Sequence, residues 1–208
     1  MTALGLPPGA TGATLCSGIG APEAAAPWID WRLACEIEAF PRAVLRERFG
    51  YLEADDSARN QGDAVVLHDM NDVTPETWRT YGLPLPDVLV AGTPCQAFSV
   101  AGLRAGLRGG LRDPRGGLTL KLVEICHALQ DARGGAGPVL VWENVPGVLS
   151  DSANAFGCFL GALVGADAPI SPPRGEGWPR AGMVSGPRAR LAWRVLDAQH
   201  FGVPQRRA

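Results

Sequence analysis

Residues 13–23 read ATLCSGIGAPE, a short apolar run that passes directly into a glycine-rich turn. Similar apolar runs, rich in β-branched residues, recur along the chain with amphipathic stretches between them. Strands that alternate with helices predict an α/β fold with a doubly wound, mostly parallel sheet whose strands are buried on both faces. The predicted strands are Ala13–Cys16, Arg32–Glu36, Ala64–Leu67, Asp87–Ala91 and Val139–Trp142, and the predicted helices are Glu38–Phe49, Thr119–Leu129 and Asn154–Val164.

The composition of the 208 residues supports one domain with a buried core. Hydrophobic residues make up 46% of the chain and charged residues 19%, which excludes a fibrous or wholly disordered protein. No apolar run approaches the roughly 18 to 20 residues that span a bilayer, and no secretory signal begins the chain, so a cytoplasmic protein is expected. The five cysteines lack ligand spacing, which predicts free thiols and neither disulfides nor a metal site.

Two segments depart from the alternation of strands and helices. Residues 101–112 read AGLRAGLRGGLR, and the repeated glycines predict a mobile basic loop over residues 101–117. Residues 165–190 are rich in proline and glycine without periodicity, which predicts an irregular excursion rather than a second domain. Of the 19 lysine and arginine residues in the chain only Lys121 is a lysine, a bias that fits either phosphate contact or genomic base composition.

In doubly wound sheets, ligands bind beyond the carboxyl ends of the strands. The turn at residues 18–20 (GIG) fits either a plain tight turn or a nucleotide site. Glu23 stands where the dinucleotide fingerprint has its third glycine, and its charge would oppose a pyrophosphate. S-adenosyl-L-methionine, which has no phosphate, is therefore favoured over a nicotinamide cofactor. Glu36 could take the ribose hydroxyls and Asp69 the adenine amino group, although each also fits a solvated loop residue.

Two chemically useful side chains follow the fourth and fifth predicted strands. Cys95 comes directly after Pro94, so its thiol is expected to face the crevice, where the arginines of residues 104–115 could favour the thiolate. A carboxyl group at Glu143 can hold a substrate and share its proton, or simply cap the next turn. The remaining cysteines are interpreted as space-filling residues, namely Cys16, Cys35, Cys126 and Cys158. On the first predicted helix, Phe40, Val44 and Leu45 are expected to face inward.

Three motifs in this order resemble one family. Residues 92–99 (GTPCQAFS), 143–145 (ENV) and 205–207 (QRR), behind the SGIG loop, look like the DNA (cytosine-5)-methyltransferases, especially bacterial and phage members. The resemblance runs from Ala13 to Ala208. It implies a Rossmann-like fold that uses S-adenosyl-L-methionine to methylate C5 of cytosine in double-stranded DNA, in a restriction-modification or phage setting.

The resemblance also implies roles for individual residues. Cys95 would add to C6 of a flipped-out cytosine, Glu143 would bind N3 and the exocyclic amine, and Asn144 would order the loop around it. The residues implied to line the cofactor are Cys16, Gly18, Ile19, Gly20, Glu36, Ile37, Asp69, Met70, Gly92, Pro94 and Leu118. The residues implied to contact DNA are Gln96, Ser99, Arg115, Gln205 and Arg207, and Arg207 is also counted with the catalytic group.

The chain departs from the family's pattern at several points. Cys16 and Ile37 replace the aromatic residues that usually hold the adenine, and Thr14 replaces an aspartate. The second arginine of the QxRxR element, the last strands of the sheet and the target-recognition region have no counterpart here. We therefore expect a catalytic domain over residues 1–208, truncated on its C-terminal side, that holds the catalytic chemistry without sequence recognition. Inactivity of the chain alone and completion by a second chain are both left open by this expectation. A non-catalytic module that binds cofactor or DNA is the alternative.

Overall fold

The computed structural model describes residues 6–94, 116–152, 154–173 and 177–202. Contacts divide the chain into two compact units. The first comprises Met1–Thr93 with Glu124–Glu143, and the second comprises Pro94–Val123 with Asn144–Ala208.

The first unit is built on a six-stranded sheet in which every neighbouring pair of strands is parallel. Its order is β3-β4-β2-β1-β5-β6, so the chain moves outward from β1 first on one side and later on the other. This confirms the predicted doubly wound α/β fold, and the reversal beside β1 is where such sheets bind ligands. The strands are β1 Thr11–Leu15, β2 Asp30–Cys35, β3 Leu52–Glu53, β4 Val65–Leu67, β5 Val88–Ala91 and β6 Val139–Trp142.

Helices connect these strands, as the alternation predicts. They are α1 Ala21–Ala25, α2 Ala39–Phe49, α3 Pro75–Thr80 and α4 Gly116–Ala132, and short 3-10 turns cover Asp56–Ala58 and Met70–Asp72. Helix α4 begins at Gly116 rather than at Thr119, so the last two residues of the predicted mobile loop are helical. The remainder of that loop, residues 101–115, lies outside the described residues.

The centre of the sheet is fully buried. Leu33 and Leu89 are 0% exposed. The edge strand β6 differs, because Val139 and Val141 are 41% and 39% exposed, so the prediction of burial on both faces was wrong for this strand. The inward orientation of Phe40 was also wrong. Phe40 is 76% exposed in the first turn of α2, whereas Leu45, farther along the helix, is buried.

The second unit contains helix α5 (Ala155–Val164) and a hairpin of antiparallel strands, β7 (Ala181–Ser185) and β8 (Arg190–Arg194). The hairpin corrects the prediction of an irregular excursion over residues 165–190. Its strands are short and half exposed, so their hydrophobic pattern is weak. Residues 166–170 also run close along α5, because a Cβ atom at Gly157 would lie 2.0 Å from the Ile170 carbonyl oxygen.

Three aromatic rings hold the second unit together. Phe156 of α5, Trp178 and Trp193 of β8 contact one another edge to face, with ring centroids 5.2 to 5.6 Å apart. The Trp178 indole donates a 3.0 Å hydrogen bond to Asn154 Oδ1, which places the ring at the start of α5. Across the described parts of both units, every helix is too short or too polar to cross a membrane.

Candidate active site

The carboxyl ends of the strands in the first unit are joined by backbone hydrogen bonds within two residues of the sheet. Each loop there donates a backbone hydrogen bond to the last residue of the neighbouring strand. The bonds run from Glu36 N to Leu67 O (2.9 Å), from Ser17 N to Cys35 O (3.1 Å), from Gly92 N to Leu15 O (3.2 Å) and from Glu143 N to Ala91 O (3.0 Å). The parallel register therefore continues into the loops, and the loops after β4, β2, β1, β5 and β6 begin side by side.

Glu36 connects the loop after β1 to the loop after β2. Its Oε2 accepts the backbone N–H of Gly18 at 2.8 Å, and its Oε1 accepts the backbone N–H of Glu38 at 2.9 Å. The Arg42 side chain donates to the carbonyl oxygens of Glu36 and Ile37, which holds the second loop against α2. Although Glu36 is only 8% exposed, each carboxylate oxygen keeps lone-pair capacity for a further donor.

Cys16 begins the loop after β1 in the left-handed conformation, with a φ of 53°. Non-glycine residues rarely adopt this conformation. Burial, together with the nearby Glu36 carboxylate, raises the pKa of the Cys16 thiol to about 11. The thiol is therefore protonated at neutral pH, and Cys16 is a packing residue rather than a nucleophile.

Glu23 does not face the loop as a free charge. It is 3% exposed, and its Oε1 lies 2.9 Å from Thr14 Oγ1 and accepts a 3.1 Å hydrogen bond from the Tyr51 hydroxyl. The argument that Glu23 repels a pyrophosphate was therefore wrong, because helix α1 turns this side chain into the protein. The glycine spacing alone could not reveal that orientation.

Three exposed apolar side chains lie in the segments that carry or bind the buried Glu36. Ile19, in the loop after β1, is 59% exposed, and Ile37, in the loop after β2, is 71% exposed. Phe40 follows in the first turn of α2 at 76% exposure. These three residues, here called the apolar rim, follow the carboxyl ends of β1 and β2. Ile37 and Phe40 lie within four residues of Glu36 in sequence, and Ile19 lies in the loop whose Gly18 N–H binds Glu36.

The next loop along the sheet carries Asp69 and Met70. Asp69 Oδ1 accepts the backbone N–H of Asn71 at 2.8 Å and its side-chain amide at 2.9 Å, so Asp69 caps the 3-10 turn. Met70 is 4% exposed and packs in the core. Asp69 is the second residue after β4, whereas Glu36 is the first residue after β2. The hydrogen bonds of the 3-10 turn fix the Asp69 side chain in this position.

Gly92 and Glu143 lie side by side at the other flank of the reversal. Ala91 pairs with Trp142, so the residues that follow them continue the same register. The Trp142 indole donates a 2.8 Å hydrogen bond to the hydroxyl of Thr93, which is 3% exposed, and this bond orders the start of the loop that leads to residue 95. The Glu143 side chain is exposed.

The remaining predicted site residues fall into two groups. Pro94, Leu118 and Asn144 belong to the second unit, where Asn144 Oδ1 accepts the backbone N–H of Val145 at 2.9 Å. The others, Cys95, Gln96, Ser99, Arg115, Gln205 and Arg207, lie outside the described residues. The sequence reasoning missed the bond between Trp142 and Thr93 and the buried group around Glu23, since neither has a local sequence signal.

The parallel order, its reversal beside β1, and the acidic residue after β2 together define a Rossmann-like methyltransferase fold. Residues 57–166, more than half of the chain, match the C-5 cytosine-specific DNA methylases, and the chain belongs to that family.

Relatives from phage and bacteria are likewise named as methyltransferases. The chain is 44% identical over 219 aligned residues to a protein of Escherichia phage P1 named DNA N-6-adenine-methyltransferase, which covers 93% of this chain and 27% of that protein. It is 28% identical to the type II methyltransferase M2.BsuMI of Bacillus subtilis (strain 168), covering 83% of this chain and 33% of the relative. For M.NgoBV of Neisseria gonorrhoeae, the identity is 30% over 72% of this chain and 29% of the relative. The chain thus spans about a third or less of the length of these relatives.

Enzymes of this family use S-adenosylmethionine as the methyl donor, and the residues present fit that cofactor. Glu36 offers a fixed carboxylate with free lone pairs, which suits ribose hydroxyls. A Cβ atom at Gly18 would meet no atom within 4 Å, so the loop leaves open space beside Glu36. The apolar rim supplies the surface that an adenine ring requires.

Proposed function

We propose that this chain carries the catalytic chemistry of DNA cytosine-C5 methylation with S-adenosylmethionine as methyl donor. The observation that carries the proposal is the continued register beyond the sheet. It places Glu36, Cys16, Gly92 and Glu143 in one row across the reversal beside β1. Within one row, groups suited to the cofactor therefore adjoin a carboxyl group suited to a base and the start of the loop that continues to Cys95.

The cofactor would be held by residues from several loops. Glu36 would accept the ribose hydroxyls, Gly18 and Gly20 would leave room for the cofactor's backbone contacts, and Asp69 would accept the adenine amino group. When bound, S-adenosylmethionine supplies an electrophilic methyl group. Cys16, Ile19, Ile37, Met70, Gly92, Pro94 and Leu118 complete the proposed cofactor contacts.

Cys95 is the proposed nucleophile. Its thiolate would form a bond to C6 of cytosine while Glu143 binds N3 and the exocyclic amine and donates a proton to N3, which makes C5 nucleophilic. After C5 has gained the methyl group, loss of the C5 proton and cleavage of the bond between sulfur and C6 would release Cys95. Asn144 would order the loop that carries Glu143.

Double-stranded DNA is the proposed substrate, with the target cytosine rotated out of the stack, because C6 is inaccessible inside a duplex. Arg115 and Arg207 are proposed to contact the DNA backbone or the target base, and Gln96, Ser99 and Gln205 to line the path of the strand. A second chain that supplies the missing C-terminal part is also proposed as a partner.

A different target base has one observation in its favour. The phage P1 relative is named an N-6-adenine-methyltransferase, and it aligns with 93% of this chain. The aligned part is 27% of that relative, so the named activity can reside elsewhere in it. The motif around Cys95 and Glu143 favours cytosine, because a covalent bond to C6 is chemistry on a pyrimidine ring.

The test is covalent trapping. The 208-residue chain is incubated with S-adenosylmethionine and duplex DNA that contains 5-fluorocytosine, whose fluorine cannot leave in the elimination step. We expect a protein–DNA adduct that Cys95→Ser abolishes and that the matched Cys126→Ser variant retains. Product analysis on ordinary DNA should find 5-methylcytosine and no N6-methyladenine. DNA binding that weakens with salt and persists in Cys95→Ser, without any adduct, would instead establish the non-catalytic module.

A further inference from the structure

A cluster of buried polar side chains adjoins the loop after β1 and has no role in the chemistry proposed above. It consists of Thr14, Ser17, Glu23 and Tyr51, which are between 1% and 7% exposed. Ser17 belongs to the loop itself, whereas Thr14 lies on β1 and Glu23 on α1. The cluster therefore links the glycine loop to elements behind it.

Hydrogen bonds connect the four side chains of the cluster one to the next. Ser17 Oγ accepts the backbone N–H of Cys35 at 3.0 Å and donates to a carbonyl oxygen, either that of Cys35 or that of Thr14, both 3.1 Å away. Thr14 Oγ1 lies 2.8 Å from Ser17 Oγ and 2.9 Å from Glu23 Oε1. The Tyr51 hydroxyl lies 3.1 Å from the same Glu23 oxygen. An unbroken relay thus runs from Glu23 through Thr14 to Ser17 and the backbone of β2.

The number of protons in the relay indicates the state of Glu23. The relay contains four contacts, and each requires one proton. They join Ser17 to a carbonyl oxygen, Ser17 to Thr14, Thr14 to Glu23 and Tyr51 to Glu23. The three hydroxyl groups supply one proton each. The remaining contact is satisfied if the Glu23 carboxyl group carries a proton and donates it to Thr14 Oγ1.

The other carboxyl oxygen supports the same state. Glu23 Oε2 is buried and has no hydrogen-bond partner among the described residues. Burying a carboxyl oxygen without a hydrogen-bond partner costs more free energy when the group is an ionised carboxylate than when it is a neutral acid. Burial raises the pKa of Glu23, although hydrogen bonds from its own backbone, Thr14 and Tyr51 oppose this shift. Tyr51 stays neutral because burial and Glu23 raise its pKa, and Asp30 adds a smaller effect in the same direction.

We propose that Glu23 is a neutral carboxylic acid in the folded protein and a positioning residue for the cofactor loop, acting through Thr14 and Ser17. The inference takes its cofactor from the proposed function. Ser17 is followed by Gly18, whose N–H binds Glu36, so the relay fixes the turn that brings these two residues together. Deprotonation of Glu23 would break one contact of the relay and loosen that turn.

The sign of the pH dependence of stability tests the protonation state without any cofactor. If the folded state holds the Glu23 proton more tightly than the unfolded state, the free energy of unfolding must fall as pH rises from the ordinary glutamate value, about 4.3, through the raised folded-state value. Glu23→Gln, which keeps a neutral donor, should lack this contribution. We therefore expect the wild type to lose stability relative to Glu23→Gln as pH rises in urea unfolding experiments. Relative loss as pH falls would overturn the proposal.

The positioning role is tested by binding of S-adenosylmethionine to the same chain. Glu23→Gln should keep the dissociation constant within about threefold of wild type, whereas Thr14→Val, which interrupts the relay, should raise it about tenfold. Tyr51→Phe is the matched control, because it removes one donor to Glu23 but leaves the relay to Ser17 intact, and its dissociation constant should stay near that of wild type. Equal weakening by Thr14→Val and Tyr51→Phe would overturn the positioning role.

A spectroscopic measurement covers the case in which a variant does not fold. At neutral pH, the infrared spectrum of the wild-type chain should show the C=O stretch of a protonated carboxyl group, and carbon NMR of labelled glutamate should show one carboxyl that does not titrate with the exposed acids. If both signals are absent, Glu23 is ionised and the proposal fails. If the wild type binds no S-adenosylmethionine while the protonated carboxyl is present, the proposed function fails and the protonation state stands.

Discussion

The backbone N–H of Gly18 donates a 2.8 Å hydrogen bond to Oε2 of Glu36, so the glycine loop after β1 and the acid after β2 hold each other in place. Eighteen residues separate the two partners in sequence. The bond turns an acid that could have been a solvated loop residue into a fixed acceptor at the point where the strand order reverses.

Loss of the Glu36 carboxylate should affect both folding and cofactor binding. Glu36→Ala leaves the N–H groups of Gly18 and Glu38 without their acceptor, so we expect the free energy of unfolding to fall by about 1–3 kcal/mol. Calorimetry with S-adenosylmethionine should show at least about tenfold weaker binding. Glu38→Ala is the control, because Glu38 is exposed and its side chain makes no capping hydrogen bond. Equal losses in the two variants would argue against a specific role for Glu36.

The two glycines of the loop should differ in their tolerance of alanine. Both have positive φ values, 54° for Gly18 and 84° for Gly20, so each substitution costs about 1–2 kcal/mol in backbone conformation. A Cβ atom at Gly20 would also lie 2.4 Å from Cε2 of Phe49, which adds overpacking of about 1–3 kcal/mol. In urea unfolding, Gly20→Ala should therefore be clearly less stable than Gly18→Ala. If the two variants unfold at the same urea concentration, Phe49 does not constrain the loop.

Phe40 should contribute to cofactor binding as the aromatic member of the apolar rim. Stacking of an aromatic side chain on a nucleobase is worth about 1–3 kcal/mol, so Phe40→Ala should raise the dissociation constant of S-adenosylmethionine about tenfold. Trp28→Ala is the matched control, because Trp28 is a comparably exposed aromatic residue (59%) that precedes the amino end of β2. Unchanged binding in Phe40→Ala would show that the adenine packs elsewhere.

The described cysteines should be slow to react at neutral pH. Burial and Glu36 raise the pKa of Cys16 to about 11, burial raises that of Cys126 to about 12, and burial also raises the pKa of Cys35. The labelling rate of Cys16 with iodoacetamide should increase about tenfold per pH unit between pH 8 and 10, as expected for a thiol below its pKa.

Any fast labelling at neutral pH should come from Cys95, and it should disappear in Cys95→Ser. Peptide mapping by mass spectrometry identifies the labelled residue in each case. Fast modification of Cys16 in the native protein at neutral pH would contradict its protonated state.

Much of the first unit could be predicted from the sequence because buried strands leave a dense local signal. The strands from Val65 and Val88, for example, begin within one residue of their predicted starts. Helices α1 and α3 and the strand β3 were missed because they are too short to show a period. The hairpin β7–β8 was missed because its residues alternate between half-buried and exposed positions in a segment rich in glycine and proline.

The amino-acid sequence by itself determined the parallel fold and the order of the motifs at the strand ends, because hydrophobic periodicity is local and parallel strands bring their carboxyl ends to one edge. Tertiary structure alone decided which acids are held inside and which apolar side chains stay outside. Glu23 forms a hydrogen bond with Tyr51, which is 28 residues away in sequence, and Phe40 is exposed although its spacing is that of a core residue. These outcomes depend on how α1 and α2 pack against the sheet, and packing between distant segments leaves no pattern in a short stretch of sequence.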